Sequence, residues 1–206
     1  MAISSLQPVI DPNKSYTFSD YFKLNPRIGE FTKYFGYRHE NQDYRLPQID
    51  IDEGYFAPLQ RELNEILLYV DLTSEIARRE VLIAPVLLNI ARYLKIKIYI
   101  EYYLDVSNQL RGTVDYYLEN SGNFLVVEAK NESLERGFVQ LAAELIALDQ
   151  LQENTNSMLY GAVSVGRVWQ FGILEPKTKT IIQDINLFQV PAELSQLLKV
   201  LAAILE

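Results

Sequence analysis

Apolar residues recur at helical intervals in four stretches of the 206-residue chain and alternate with polar ones in segments between them. In PLQRELNEILLYV, residues 58–70, Leu59, Leu63, Ile66, Leu67 and Val70 share one helical face, with Pro58 near the first turn. The spacing of Ile76, Leu82, Ile83, Val86, Leu87, Ile90 and Leu94 predicts a second helix from about Thr73 to Leu94, kinked at Pro85 because proline has no amide hydrogen to donate. Three strand patterns follow: IKIYIEYYL at 96–104, LRGTVDYYL at 110–118 and NFLVVEA at 123–129. The joining segments DVSNQ and ENSG carry turn chemistry, which predicts an antiparallel meander. LERGFVQLAAELIALDQLQ, residues 134–152, reads as a long helix with Phe138, Leu141, Leu145, Leu148 and Leu151 on one side. SMLYGAVSV and RVWQFGIL predict a hairpin about Gly166, TIIQDINLFQV a further strand, and Ala192 to Leu205 a closing amphipathic helix. The order helix, three strands, helix, strands, helix predicts an α/β (α+β) fold with a mixed central sheet flanked by helices.

Residues 1–56 show little periodicity but hold eleven of the 24 aromatics and four of the eight prolines, so they read as an irregular arm with short elements, packed on a single domain spanning 57–206. Within the arm, FTKYFGYRHENQDYR interleaves Tyr34, Phe35, Tyr37 and Tyr44 with Lys33, Arg38 and Arg45. That pattern fits either stacking and phosphate contacts to a single strand or a hydrophobic belt with solvated basic tips. At 49% hydrophobic and 22% charged residues, the chain has the composition of a folded protein. MAISSLQPVIDPNK lacks the basic start and apolar core of a secretion signal, and no run approaches the roughly 18 apolar residues of a membrane span. A cytoplasmic location without membrane association is the expectation.

The absence of Cys removes disulfides, thiolate metal sites and thiol nucleophiles, and His39, the single His, cannot make a site that needs two. His39 itself reads as structural or solvent-facing. What remains is carboxylate, Lys and hard-metal chemistry. Asp115 lies inside a strand pattern among Val114, Tyr116 and Leu118, where Asp is uncommon. Thirteen residues on, Glu128-Ala129-Lys130 closes an apolar run, and strand alternation puts Glu128 and Lys130 on the same side. Adjacent antiparallel strands would bring Asp115, Glu128 and Lys130 together. Two carboxylates are enough to hold Mg²⁺ while waters and phosphate oxygens complete its octahedron, and an ammonium beside it positions the attacking water. A second acid-x-Lys triplet, Glu175-Pro176-Lys177, is set aside because its Pro and the following Lys-Thr-Lys-Thr mark a turn.

With these motifs the chain resembles the PD-(D/E)xK nuclease superfamily over about residues 73–174. Gly112-Thr113-Val114-Asp115 looks like the first acidic motif and Val126-Val127-Glu128-Ala129-Lys130 like the second. The run from Ser74 to Leu87 is similar to the Glu-x-x-x-Arg-x-x-Leu-Ile-x-Pro-x-Leu pattern that opens several restriction-endonuclease-like domains. The first motif lacks the Pro that often precedes its Asp. The resemblance implies a restriction-endonuclease-like core and a Mg²⁺- or Mn²⁺-dependent endonuclease acting on DNA and leaving a 5′-phosphate. Asp115, Glu128 and the Ala129 carbonyl would hold the metal, Lys130 would activate water, and Glu75 would complete the site with Glu80 as fallback. Gln140 matches a Gln that some branches carry on the helix after the Lys strand. Read without the resemblance, Gln140 is an ordinary exposed helical residue, and Glu75 with Arg79 is an i,i+4 ion pair.

Charge complicates the DNA expectation. The net charge is −8, and residues 51–160 carry all of it, with 17 acids against 9 bases. Phosphate backbones are bound largely by Lys and Arg that displace counterions, so tight duplex binding by this chain alone is disfavoured. Two readings therefore stay open: the nuclease, and a non-catalytic module of the same fold whose acids and Lys form a neutralised polar cluster. A protein partner, or a homodimer through the last helix, fits either.

Overall fold

The computed structural model describes residues 10–120, 123–130, 133–152 and 157–206, with only the backbone of Asn123 and Phe124. It is a mixed α/β structure in which seven strands form one sheet in the order β1-β7-β6-β5-β4-β3-β2. The strands are β1 (Arg38–Gln42), β2 (Lys97–Ser107), β3 (Leu110–Asn120), β4 (Asn123–Ala129), β5 (Leu159–Ser164), β6 (Val168–Glu175) and β7 (Thr180–Gln189). β2, β3 and β4 make the antiparallel meander, while β4 pairs parallel with β5 and β1 pairs parallel with β7. Of the turns expected from sequence, Ser121 and Gly122 of ENSG lie outside the described residues.

Helices cover both faces of the sheet. On one face, α3 (Glu53–Ile66), α5 (Ala84–Leu94) and α7 (Leu194–Leu205) enclose a core with Tyr116, Leu118, Leu125, Val127, Ala129, Trp169 and Phe171. On the other, α1 (Phe18–Leu24), α2 (Ile28–Tyr34) and α6 (Leu134–Leu151) pack with Val114, Tyr117, Val126, Val163 and Ile181. Neighbouring β4 residues divide between the two cores, as strand alternation requires.

The N-terminal segment holds the short elements expected of it, two seven-residue helices, but it is more than an arm, because β1 forms one edge of the main sheet. β1 was missed because Arg38-His39-Glu40-Asn41-Gln42 has no apolar alternation: an edge strand needs backbone pairing more than a buried face. Of the aromatic and basic residues in this region, Tyr37 is buried with its hydroxyl on Asp149 and the Lys179 ammonium 5.0 Å above its ring. With Phe18, Tyr21 and Phe31 also buried, the segment serves mainly as a hydrophobic belt.

Two helical expectations shift as well. α3 begins five residues before Pro58, because Asp52 caps it by accepting a hydrogen bond from the Tyr55 amide at 3.3 Å. The helix predicted over 73–94 is divided into α4 (Glu75–Arg78), a π-helical turn at Arg79–Ile83 and α5. The wide turn falls just before Pro85, whose ring and missing amide hydrogen disturb the preceding turn. The Glu175-Pro176-Lys177 triplet lies at the end of β6 and in the turn to β7, apart from any strand-end acid cluster.

Gly137 lets α6 sit directly on the sheet. A Cβ there would lie 2.6 Å from Val163 Cγ1 and 3.1 Å from Lys130 Cγ. In an open helix Gly→Ala stabilises by about 1 kcal/mol, whereas overpacking destabilises by about 1–3 kcal/mol. Gly137→Ala is therefore expected to lower the urea midpoint of unfolding, and an unchanged or raised midpoint would contradict this packing.

Candidate functional site

β3 and β4 stop pairing just before their acidic residues. The last paired residues are Tyr116 and Val127, and beyond them the Asp115 carboxylate takes over the ladder's role, its Oδ2 accepting the Ala129 amide at 2.8 Å. The disturbance also reaches β3 itself. Val114 packs in the same core as Tyr117 while Tyr116 packs in the other, so side-chain alternation inverts at Asp115. Opposite Asp115 on β2, between the pairs Ile100–Tyr116 and Tyr102–Val114, Glu101 adopts a left-handed φ of 56°.

Arg79 joins these acids from the other side. Its guanidinium lies 2.6 Å from Glu101 Oε1 and 3.4 Å from Asp115 Oδ1, over the face of Tyr116 at 5.4 Å from the ring centroid. The π-helical turn begins at this residue. Arg79 thus turns to Glu101 and Asp115 instead of forming the i,i+4 pair with Glu75. Glu75 occupies the first turn of α4, where the Ser74 hydroxyl accepts the Ala77 amide at 3.1 Å. Of the two helix carboxylates proposed for the site, Glu75 is the one whose charge acts on Lys130, whereas Glu80 is exposed and acts on the Tyr116 hydroxyl.

Glu128 and Lys130 lie on the α6 face, as their spacing predicts, and form an ion pair under Gly137. The Phe22 ring of α1 covers the ammonium at 5.1 Å, and the Lys130 amide donates to the Ser164 carbonyl at 2.8 Å. Gln140 is buried, contrary to the exposed-helix reading, and its amide donates to Glu144 Oε1 at 3.0 Å. Glu144, which the sequence reading did not single out, is fully buried and directly engages Glu128. Its signal was present: Gln140 and Glu144 are the only polar side chains between Phe138 and Leu148, four residues apart and so on one helical face. An acid in so apolar a helical run needs an inward partner.

Burial governs the protonation of this cluster. It holds the Glu128 carboxyl well above the ordinary range, Glu144 and Asp115 push the same way, and Lys130 opposes them. Burial also pushes Glu144 up to about 7, against hydrogen bonds from Glu128 and Gln140. For Lys130, burial works to lower the pKa, but the Glu128 carboxylate, with Asp115 and Glu75, holds it above the usual lysine value. Glu128 Oε2 and Glu144 Oε2 are both buried with no donor from another residue. A single proton held between the two carboxyls satisfies both oxygens.

The same vacant valence suits a cation. Glu128 Oε2 has no donor, and Asp115 and the Ala129 carbonyl supply oxygens at the parting of the strands. Among the described residues, no group of three His, Cys, Asp or Glu side chains is placed to hold a metal ion. Any cation here would rest on two carboxylates and a carbonyl, a set that suits Mg²⁺, which keeps several waters. Asp115, Glu128, Ala129 and Lys130 thus come together, Glu75 reaches them by its charge, and Gln140 acts through Glu144.

Folded Glu144 holds its proton up to about pH 7, whereas an unfolded glutamate, with a pKa of about 4.5, releases it earlier. The stability this contributes is full below the unfolded pKa and is lost as pH rises through the folded one. In EDTA, Glu144→Gln, which keeps the shape and removes the titration, should gain on the parent by about 3 kcal/mol between pH 5 and 8. Urea titrations at several pH values measure the difference; a difference independent of pH would rule out the shared proton.

The chain matches no family model, no curated protein and no solved structure.

Proposed function

We propose that the protein is a divalent-cation-dependent phosphodiesterase of the endonuclease type, cutting DNA, with a restriction-endonuclease-like core formed by α5, the β2-β3-β4 meander, α6 and β5. The observation that carries this reading is Glu128 Oε2: a buried carboxylate oxygen without a donor, at the point where β3 and β4 separate, beside Asp115 and a buried ammonium. Once the proton shared with Glu144 is lost, that oxygen is left buried without a partner, at a cost on the order of 1–3 kcal/mol that a bound cation would offset.

Asp115, Glu128 and the Ala129 carbonyl would hold the cation, Mg²⁺ or Mn²⁺, which when bound supplies positive charge beside the phosphate oxygens and acidifies water. Lys130 acts as an ammonium, since its neighbours keep it protonated through the neutral range. It positions the attacking water and stabilises the charge that grows on phosphorus oxygens, and proton removal falls to another base. Phe22 and Gly137 confine its side chain, which keeps the ammonium oriented. Gln140 fixes Glu144, and Glu144 fixes Glu128. Glu75 adds negative charge from the helix side.

One observation favours the alternative, a non-catalytic module: the cluster is already neutralised internally, with Lys130 on Glu128 and Arg79 on Asp115. Cleavage assays separate the two readings. With Mg²⁺ or Mn²⁺, the purified protein is expected to nick plasmid or single-stranded DNA, and Asp115→Ala or Lys130→Ala should each reduce the rate by at least about 100-fold. Cutting that survives both substitutions would point to a contaminant and end the nuclease assignment. Cation affinity provides an independent check. Because the Glu128–Glu144 proton must leave before Glu128 can hold a cation, Mn²⁺ affinity measured calorimetrically should rise with pH toward and through about 7. No Mn²⁺ binding at pH 8 would leave only the assembly module.

A further inference from the structure

A second feature plays no part in the reading above: a cleft of about 370 Å³ between the α1–α2 turn, the start of α6 and the β1–β7 edge. Its volume falls within the range of small-ligand sites, about 300–1,000 Å³. The half-buried His39 ring faces the cleft, and the buried Phe138 ring backs it in a steeply inclined contact at 6.0 Å. His39 is held in place: its Nε2 meets Gln183 Oε1 at 3.0 Å, Gln183 in turn donates to Gln170 Oε1 at 3.2 Å, and Gln170 donates to the Asp184 carbonyl at 2.9 Å. Other polar side chains in the cleft are unused. Among the described residues, Arg27, Asn41 and Glu135 have no side-chain hydrogen bond or ion pair.

The cleft shares a wall with the proposed active site. Phe22, whose ring lies over the Lys130 ammonium, is one turn of α1 before Asn25, which lines the cleft. On α6, Gly137 sits on the Lys130 side chain and the next residue, Phe138, faces the cleft.

We propose that this cleft is a nucleobase pocket, receiving the base of a nucleotide that flanks the phosphodiester held at Asp115, Glu128 and Lys130. Its chemistry suits a flat heterocycle: the His39 ring and the apolar Ile28 for the base faces, with the Asn41 amide for its edge. Asn41 offers both a donor and an acceptor, the pairing that amides use on base edges, while Gln183 is spent on holding His39. Arg27, at the exposed rim, meets the sugar–phosphate, and Glu135 accepts from an exocyclic amine. His39 thus becomes a binding residue, not only a structural one. The proposal rests on the phosphodiesterase reading for its place beside the scissile bond, but the pocket's ligand can be tested separately.

His39 is the only histidine, so its imidazole resonances report on the cleft without assignment ambiguity. The full-length protein, titrated with each nucleoside 5′-monophosphate, should show a saturable shift of those signals with at least one base. Inorganic phosphate and ribose 5-phosphate should leave them in place. Asn41→Ala, at an exposed position of an edge strand where folding is little at risk, should weaken the response about tenfold. An equal response to ribose 5-phosphate would make the cleft an anion site and overturn the proposal; so would no response to any nucleotide. Lys130-dependent DNA cleavage with unmoved His39 signals would defeat the pocket and leave the phosphodiesterase. Nucleotide-specific shifts in a protein that cuts no DNA would keep the pocket and defeat the phosphodiesterase.

Discussion

The pairing of β3 with β4 ends one position before Asp115 and Glu128, and the site is organised by how the chain closes that gap. Antiparallel pairing carried one step further would set these acids directly opposite each other, with like charges close together on one face. Instead Asp115 turns its carboxylate onto the Ala129 amide, which saturates a donor that the missing ladder bond would leave open. The cost is spread over neighbours. β3 inverts its side-chain alternation and Glu101 takes a left-handed conformation that costs roughly 1 kcal/mol or more, while the π turn before Pro85 lets Arg79 reach Glu101 and Asp115. Four irregularities converge on one carboxylate, and each has a local physical cause.

Behind this opening, the α6 side of the sheet buries two glutamates and a lysine. Ion pairs that deep gain little net stability, because desolvation offsets most of the attraction, yet breaking one leaves an uncompensated charge. Glu128, Glu144, Gln140 and Lys130 therefore stand or fall as a unit, and the proton shared by the two glutamates is the cheapest way to keep them buried without a metal. The rest of the core is conventional, with Leu141, Leu145, Val163 and Phe138 packed around the cluster. Natural sequences tolerate such local conflict mainly where chemistry requires it.

What the sequence disclosed follows the same division. Strong periodicity made the meander, α6 and the closing helix legible, and alternation alone put Glu128 and Lys130 on one face. Features set by tertiary context were not legible. β1 has no apolar pattern because its role is backbone pairing at an edge, and the sequence shows only a kink at Pro85 where the structure has a π turn over the preceding residues. Gln140 and Glu75 illustrate the limit for single residues. A helical Gln reads as exposed until its neighbours are known, and an i,i+4 Glu–Arg spacing reads as an ion pair until Asp115 and Glu101 compete for the Arg. Glu144 was legible in principle, as an acid in an otherwise apolar helical run.

The acidic surplus bears on how such a site would choose its substrate. A net charge of −8, all of it within residues 51–160, works against recognition through many phosphate contacts. Internal pairing removes part of the local field, since Arg79 and Lys130 each face an acid, but those two cations are then committed and cannot also bind a backbone track. Affinity for a nucleic acid must come from elsewhere. Stacking and edge hydrogen bonds to a base need no net positive charge and contribute on the order of 1–3 kcal/mol per base. A pocket lined by Phe138, His39, Asn41 and Gln183, with Arg27 as its one cation, matches that requirement. It favours substrates whose bases are accessible, single-stranded or extruded, over an intact duplex. On the proposed reading the surplus acids would act as a filter: they would repel a bare polyanion and leave binding to strands that can present a base to the cleft while a cation neutralises the single phosphate at Asp115 and Glu128.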